Sequence, residues 1–390
     1  MRNKSKSPAL KTKRVMLMVG MAHTHTRSVL EGVADYADHH GRWQHQLEVE
    51  LSPDPILTGG FDGMIVEAHY DLTLPALRKS KIPAITVTHL PDPDGPPAVV
   101  VDNRAVGRMA AEYLSNLGLK QLAFVGARNA IYSVHRGEGF HAGCDARRLP
   151  CIDFDVNNFG GPETPDDEAL AEFIRTLPDP IGILAVNDRR ALSVSRACRQ
   201  VGRRIPESVA LLGVDNEAET CRLCDPPLSS IDHGTRRIGY EAARLLDQWM
   251  TTGERPTNSV LIQPVGVVSR PSTDLMAIDD PDVVTALRFI RSHATEALKV
   301  SDVLQHVAIS RRSLEMHFQK TIGRTIHAEI TRVRIDRAKH LLISSDWSMP
   351  QIAQACGFAF PSQFSHAFSR EAGLPPLKFR HQYRYRRSGS

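Results

Sequence analysis

Ser348-Met349-Pro350-Gln351-Ile352-Ala353-Gln354-Ala355-Cys356-Gly357-Phe358, followed by residues 361–373, decides the reading of the C-terminal third of this chain. Serine is a good helix N-cap, because its side-chain oxygen accepts from the orphan N–H groups of the first turn. The spacing predicts a short helix, a tight turn and a second helix that ends at Gly373. In that second helix Phe364 and Phe368 share one face, four residues apart. Ser362, Gln363 and His366 are left on the opposite face.

About fifty residues upstream the pattern recurs. Ser301-Asp302-Val303-Leu304-Gln305-His306-Val307-Ala308-Ile309-Ser310 is followed by residues 311–323, which end at Gly323. Ser301 is the expected cap of the first helix. Leu314 and Phe318 point inward, and Arg311, Arg312 and Glu315 point outward. A helix-turn-helix inserts the start of its second helix into the major groove of DNA. Arg, Gln and Glu can read base edges there, whereas Lys320, Arg324, Lys378 and Arg380 suit phosphates. The rival reading is a helical bundle with a solvated charged face. The duplication argues against it, and so does charge. Residues 281–390 hold 17 Lys+Arg against 8 Asp+Glu, a net +9, in a chain whose total is +4. A basic end on an acidic body points to a polyanionic partner.

Upstream, residues 15–270 alternate β-branched runs with helical periodicity. Strands are expected at 15–19, 63–66, 84–87, 98–101, 121–126, 182–186 and 209–214, with helices near 107–117, 166–176 and 189–201. Such alternation implies parallel sheets covered by helices, and the length allows two lobes. The expected organisation is a basic tail (1–14), a two-lobed α/β domain (15–270), an acidic proline-containing linker (271–281) and an all-α domain (282–390) with helix-turn-helix units at 301–323 and 348–373. The basic tail followed by a short apolar run is read as a frayed end before a buried strand rather than an export signal.

Residues about 283–385 resemble the arabinose-regulator class of DNA-binding domain. The likeness rests on Ser310-Arg311-Arg312-Ser313-Leu314, Phe318, Gly323, Arg334, Ala338, Leu341-Leu342, Ile352-Ala353, Gly357-Phe358, Ser362, Phe364, Phe368, Gly373-Leu374-Pro375 and Phe379-Arg380. It implies two helix-turn-helix units joined by a long helix, here about 324–344. The chain departs from the class at Phe360, where a polar cap is usual, and at His366, where arginine is frequent; weaker or different reading by the second unit follows. Residues 15–270 more loosely resemble the sugar-binding core of lactose-repressor-type regulators and periplasmic sugar-binding proteins. The landmarks are Val101-Asp102-Asn103, Arg136-Gly137, Gly139-Phe140, Ala185-Val186-Asn187-Asp188 and Gly213-Val214-Asp215-Asn216. The usual N-terminal headpiece of those repressors is not seen, which fits a DNA-reading function moved to the other end.

The combination resembles regulators of pentose operons. It implies a cytoplasmic homodimer, D-xylose as effector, double-stranded promoter DNA and RNA polymerase as partners, and activation of sugar-use genes. Sugar recognition has its own chemical requirement, since every buried hydroxyl must both donate and accept. Parallel sheets present ligands beyond the carboxyl ends of their strands. Asn187 and Asp215 each follow a strand, and resemblance adds Arg136. His25, Arg27 and Asp102 are weaker candidates; Thr26 or Asp102 could instead cap a helix.

Other readings remain open at this level. A repressor would use the same parts, and a transport-linked sugar-binding protein would use the α/β domain alone. An enzyme finds no support: there is no phosphate loop, nucleophile elbow, zinc pair or dinucleotide fingerprint, and no catalytic residue or cofactor is expected. Six cysteines form no disulfide framework, and Cys221/Cys224 is a lone C-x-x-C without further ligands at metal spacing, so no metal is expected either. No stretch approaches the ~20 apolar residues of a membrane span.

Overall fold

The structure is a computed structural model that describes residues 12–20, 24–40, 43–68, 72–88, 94–127, 130–155, 166–274, 280–345 and 347–383. The described residues fall into two compact units, the first running to Asp102 and resuming over Gly234–Gln263, the second holding Asn103–His233 and the chain from Pro264 onward. Among the described residues the chain passes between units at 102/103, 233/234 and 263/264.

The first unit holds a four-stranded parallel sheet built from β1 (Lys13–Met18), β2 (Trp43–Glu48), β3 (Gly63–Val66) and β4 (Ala84–Thr86), in the order β2-β1-β3-β4. Its inner strands read MLM and GMIV because both faces are covered: Met16, Met18, Met64 and Val66 pack with Ile56, Ala76 and Leu77. β5 (Val99–Val101) pairs in parallel with a late-returning strand at Val260–Ile262. Helices Thr24–His40 and Thr235–Thr252 pack in the same unit. The expected tail ended too late. Lys13 already lies in β1, its ammonium 2.9 Å from Asp247 and 2.6 Å from Thr251; residues 1–11 lie outside the described part.

The second unit contains β6 (Leu122–Gly126), β7 (Cys151–Asp155), β8 (Ile181–Ala185), β9 (Val209–Val214), β10 (Ser229–Asp232) and, after β11 (the Val260–Ile262 strand of the first unit), β12 (Gly266–Val268). The sheet order is β12-β10-β9-β8-β6-β7, parallel except for the antiparallel edge strand β12. β8 and β9 are buried throughout and packed under helices Asp166–Thr176 and Asp188–Gln200. The expected linker began too early: Pro271–Thr273 is a 3-10 turn whose Ser272 and Thr273 are fully buried. Ser272 Oγ donates to the Leu211 carbonyl at 2.6 Å, so the turn closes this sheet. Residues 275–279 lie outside the described part.

From Asp280 the chain is all helix. Asp280 caps helix Pro281–His293 by accepting from the N–H groups of Asp282 and Val283. The first helix-turn-helix is Val300–Gln305 and Arg311–Ile322; the second is Met349–Ala355 and Pro361–Ala372. Helix Ile326–Ser344 joins them and divides its apolar residues between two cores. Ile326 and Ile330 join Leu314, Phe318 and Leu287, whereas Ile335, Ala338 and Leu342 join Ile352, Phe364 and Phe368. Ser310 and Ser348 are side-chain caps, as their residue type implies. Ser301 is not. Its helix starts two residues earlier than a Ser301 cap implies, at Val300, with Lys299 as N-cap, because the Asp302 carboxylate accepts from the Lys299 N–H at 2.8 Å.

Candidate functional site

Helix Ile131–Asp145 crosses helix Asn103–Ser115 at two glycines. A Cβ on Gly107 would lie 2.1 Å from the Arg136 carbonyl, and one on Gly139 would lie 2.1 Å from the Arg104 carbonyl. Only hydrogen at both positions permits this backbone approach. The approach brings Arg136 to the start of the neighbouring helix, where its Nε donates to Asn103 Oδ1 at 2.8 Å. Arg136 is buried, at 4% exposure, and a buried guanidinium needs partners to offset lost hydration. A second donor goes to the Val186 carbonyl at the end of β8. The guanidinium also lies over the Tyr132 ring, 5.1 Å from its centroid.

Asp215 follows β9 and stands opposite. Its φ of 111° and the 55° of Asn216 place two successive non-glycine residues in left-handed backbone, a conformation that stores strain and tends to mark functional sites. Surrounding hydrogen bonds hold it. The Asp215 N–H donates to the Ile231 carbonyl at 3.0 Å, the Asn216 N–H to Ser230 Oγ at 3.0 Å, and Arg270 to Asn216 Oδ1 at 2.7 Å. The Asp215 carboxylate lies 3.8 Å from Arg136 Nη2 and 3.3 Å from His233 Nδ1. Burial raises the Asp215 carboxyl well above the carboxylate range, against the opposing charge of Arg136. A separation of 3.8 Å exceeds a hydrogen bond. The two groups thus place a donor fork and a carboxylate side by side without bonding each other directly.

Asn187 adds the third side. It is the N-cap of helix Asp188–Gln200, accepting from the Arg190 N–H at 2.8 Å, and it hydrogen-bonds the Tyr132 hydroxyl. Asp188, fully buried below, accepts from Ser230 Oγ (2.6 Å), the Glu217 N–H (2.8 Å) and the Cys221 thiol (3.4 Å). It braces the loop that carries Asp215, and burial raises its carboxyl to about 7. Cys221 and Cys224 are free thiols, the first engaged with this carboxylate.

Arg136, Asn187 and Asp215 therefore converge at the carboxyl ends of β8 and β9. Asn103, Tyr132, Arg190 and His233 stand with them, and sequence reasoning passed over all four. Two carried a signal: Tyr132 precedes Arg136 by four residues on one helix face, and Arg190 follows Asn187 by three. Asp102, Arg27 and His25 lie in the other unit. Asp102 accepts from Gln263 Nε2 at 2.9 Å; Arg27 is exposed and His25 half-buried at the start of helix Thr24–His40. Thr26 bonds the Gly20 carbonyl.

In the helical domain Arg311, Arg312 and Glu315 are exposed on the first reading helix, and Ser362, Gln363 and His366 on the second. Arg311 Nε and Glu315 form an i,i+4 pair at 2.9 Å. Phe360, 61% exposed, precedes the second reading helix without a side-chain cap, and Pro361 at its first position spares the helix start one of its orphan N–H groups. Lys320 and Lys378 are exposed. Arg324 and Arg380 have protein partners: Arg324 meets Glu329 at 3.3 Å and donates to Asn116 at 2.9 Å, and Arg380 donates to the Trp347 carbonyl. Arg334 donates to the carbonyls of Ala294 (2.7 Å), Glu296 (3.0 Å) and Leu298 (3.0 Å) and stacks on Phe358, tying the two helix-turn-helix units together.

Known proteins share this arrangement. A periplasmic binding protein-like domain profile matches residues 111–273, and a helix-turn-helix domain profile matches residues 303–382. The xylose operon regulatory protein of Haemophilus influenzae is 31% identical over 384 residues, which span 94% of this chain and 98% of that protein. The chain belongs to the xylose operon regulatory protein family. The Escherichia coli K12 member is likewise 31% identical, over 95% of this chain and 97% of its own length. The solved structure of a xylose-binding transcription activator aligns with a TM-score of 0.61 at 29% identity, covering 96% of this chain and 99% of that one. As a member of this family the protein is a DNA-binding transcription regulator that carries its helix-turn-helix domain behind a periplasmic-binding-protein-like α/β domain. Both domain types agree with the fold expected from the sequence. Among the described residues no helix is long and apolar enough to cross a membrane.

Proposed function

We propose that this regulator is a cytoplasmic, D-xylose-responsive activator of pentose-use genes. It binds neighbouring promoter half-sites as a homodimer and recruits RNA polymerase. One observation carries the effector half of this reading: Arg136 and Asp215 face each other 3.8 Å apart at the ends of parallel strands, beside Asn187. That set offers a fixed donor fork, a carboxylate and an amide, the complement of adjacent sugar hydroxyls. The relatives' names supply the sugar, since they are regulators of a xylose operon and the solved structure is of a xylose-binding activator.

The DNA half rests on the two reading helices. Arg311, Arg312, Glu315, Ser362, Gln363 and His366 read bases, and Lys320 and Lys378 hold phosphates. Half-sites one helical turn apart, about 34 Å, suit such units in a dimer. A ligand shifts DNA binding only through its differential affinity for the DNA-competent arrangement. Thermal unfolding across a panel of aldoses tests the effector. At 100 times its dissociation constant a ligand adds roughly 2.7 kcal/mol to the native state. D-xylose raises the midpoint on this reading, and a flat response to every pentose refutes it.

A further inference from the structure

On the far edge of the six-stranded sheet, away from the residues described above in sequence and role, the fold assembles a second polar cluster. His141 Nε2 lies 3.0 and 2.8 Å from the two Asp153 carboxylate oxygens. The Cys151 sulfur joins them, and the three ligand atoms all lie within 4.8 Å of one another. Cys144, one helical turn beyond His141, hydrogen-bonds Cys151 through its thiol and is itself fully buried. The spacing explains the convergence. His141 and Cys144 are i,i+3 on helix Ile131–Asp145, and Cys151 and Asp153 are i,i+2 on edge strand β7, so each pair shares a face. Spacing along the chain hides the set, because one ligand comes from a helix and two from a strand.

We propose that His141, Cys151 and Asp153 form a zinc site, with a water molecule completing the tetrahedron. An imidazole, a thiol and a carboxylate make up a borderline-soft donor set that suits Zn²⁺ better than harder cations. Nitrogen and oxygen ligands about 2.1 Å from a tetrahedral ion stand roughly 3.4 Å apart, so the His141–Asp153 contact opens by only a few tenths of an ångström on loading. His141 and Asp153 are partly exposed, at 39% and 43%, which leaves a path for the ion. The buried Cys144 thiol hydrogen-bonds Cys151 from the inner side. Loading displaces the Cys151 thiol proton and replaces the His141–Asp153 pair with two bonds to the metal. The bound ion clamps β7 to the helix that also carries Arg136.

The test uses the full-length, tag-free chain, stripped with EDTA and titrated with Co²⁺ as a spectroscopic stand-in for zinc. One equivalent gives a thiolate-to-cobalt charge-transfer band in the near ultraviolet together with intense tetrahedral bands in the visible, and Zn²⁺ displaces both. Cys151→Ser loses the charge-transfer band or weakens binding at least tenfold, and His141→Gln weakens it at least tenfold. Cys221→Ser, remote from the cluster, leaves the titration unchanged. Both weakening substitutions lie on partly exposed side chains, and circular dichroism with thermal unfolding verifies that each variant is folded. A titration without a charge-transfer band, or one that Cys151→Ser leaves intact, overturns the site.

Discussion

Arg136 Nε donates to Asn103 Oδ1 at 2.8 Å, which fastens the buried arginine of the proposed effector site to the first residue of helix Asn103–Ser115. At the other end of that helix Tyr113 hydrogen-bonds Ser269 at 3.0 Å and Thr273 at 2.8 Å, both still in the α/β domain. Asn116, just past the helix, accepts from Arg324 of the helical domain at 2.9 Å. Arg324 in turn meets Glu329, which is buried and pairs with Arg332 at 2.7 Å. One helix thus has the proposed effector residue Arg136 bound at its start and, just past its end, a hydrogen bond to the helical domain.

This connection gives the first prediction. Asn116→Ala removes the acceptor for Arg324 while leaving Arg324 its carboxylate partner. Sugar-dependent enhancement of DNA affinity should fall several-fold, with sugar affinity of the DNA-free protein within a factor of two of wild type. Coupling is reciprocal. DNA should therefore also lose its effect on sugar affinity, which titration calorimetry in the presence and absence of operator DNA can measure.

The effector site gives the second. On the proposed reading, Asp215→Ala and Arg136→Lys each remove a charge-assisted hydrogen bond to a sugar hydroxyl, worth about 1.5–3 kcal/mol. The expected loss is roughly tenfold to a hundredfold in dissociation constant. Arg136→Lys keeps the charge but not the fork that reaches Asn103 and Val186 together, so it should weaken binding nearly as much as Asp215→Ala. Equal affinity of Arg136→Lys and wild type would remove Arg136 from the site.

Stability of the second unit should depend on pH through Asp188. Its carboxyl is raised to about 7 in the folded state by burial. The folded state therefore holds this proton more tightly than the unfolded state does. That contribution is complete below pH ~4 and is lost as pH rises through about 7, amounting to roughly 4 kcal/mol at most. Asp188→Asn should flatten this part of the stability profile, measured by urea unfolding from pH 4.5 to 8. A profile identical to wild type would show that Asp188 ionises freely in the fold.

Two glycines separate backbone conformation from packing. Gly323 and Gly357 have nearly the same φ, 73° and 75°. Around Gly323 a Cβ would find open space, whereas at Gly357 it would lie 2.4 Å from the Glu296 carbonyl. Gly323→Ala should destabilise the helical domain by about 1 kcal/mol, the cost of left-handed backbone for a residue with a Cβ. Gly357→Ala should exceed it by at least 2 kcal/mol, since the clash is with backbone. Equal losses in urea titrations would mean that the second helix-turn-helix does not pack on residues 294–296.

The helical domain was nearly complete in the sequence. Paired phenylalanines at i,i+4, capping serines and terminal glycines act locally, and local rules are what a sequence states directly. The exception, Ser301, lost its cap to the Asp302–Lys299 interaction two residues earlier in the turn. In the α/β domain the inner strands were legible because burial on both faces leaves continuous apolar runs. β2, with its sequence WQHQLE, was not, since an exposed edge strand carries no such run. The late-returning strands β11 and β12, three residues each, were too short to show a period. That Arg136, Asn187 and Asp215 lie together could be expected from strand ends, but the proximity of Asn103, Tyr132 and His233 could not, because it depends on a glycine-mediated helix crossing and on strand ends far apart in the chain. The placement of Arg324 beside Asn116 is likewise a long-range contact, invisible to spacing.

The most direct test of the account is the DNA affinity of the full-length protein, by fluorescence anisotropy on a pentose-operon promoter fragment at fixed salt, with and without D-xylose. Tighter binding with D-xylose for wild type, and no response in Asp215→Ala, is the expected result. Equal affinity with and without the sugar in wild-type protein would contradict it.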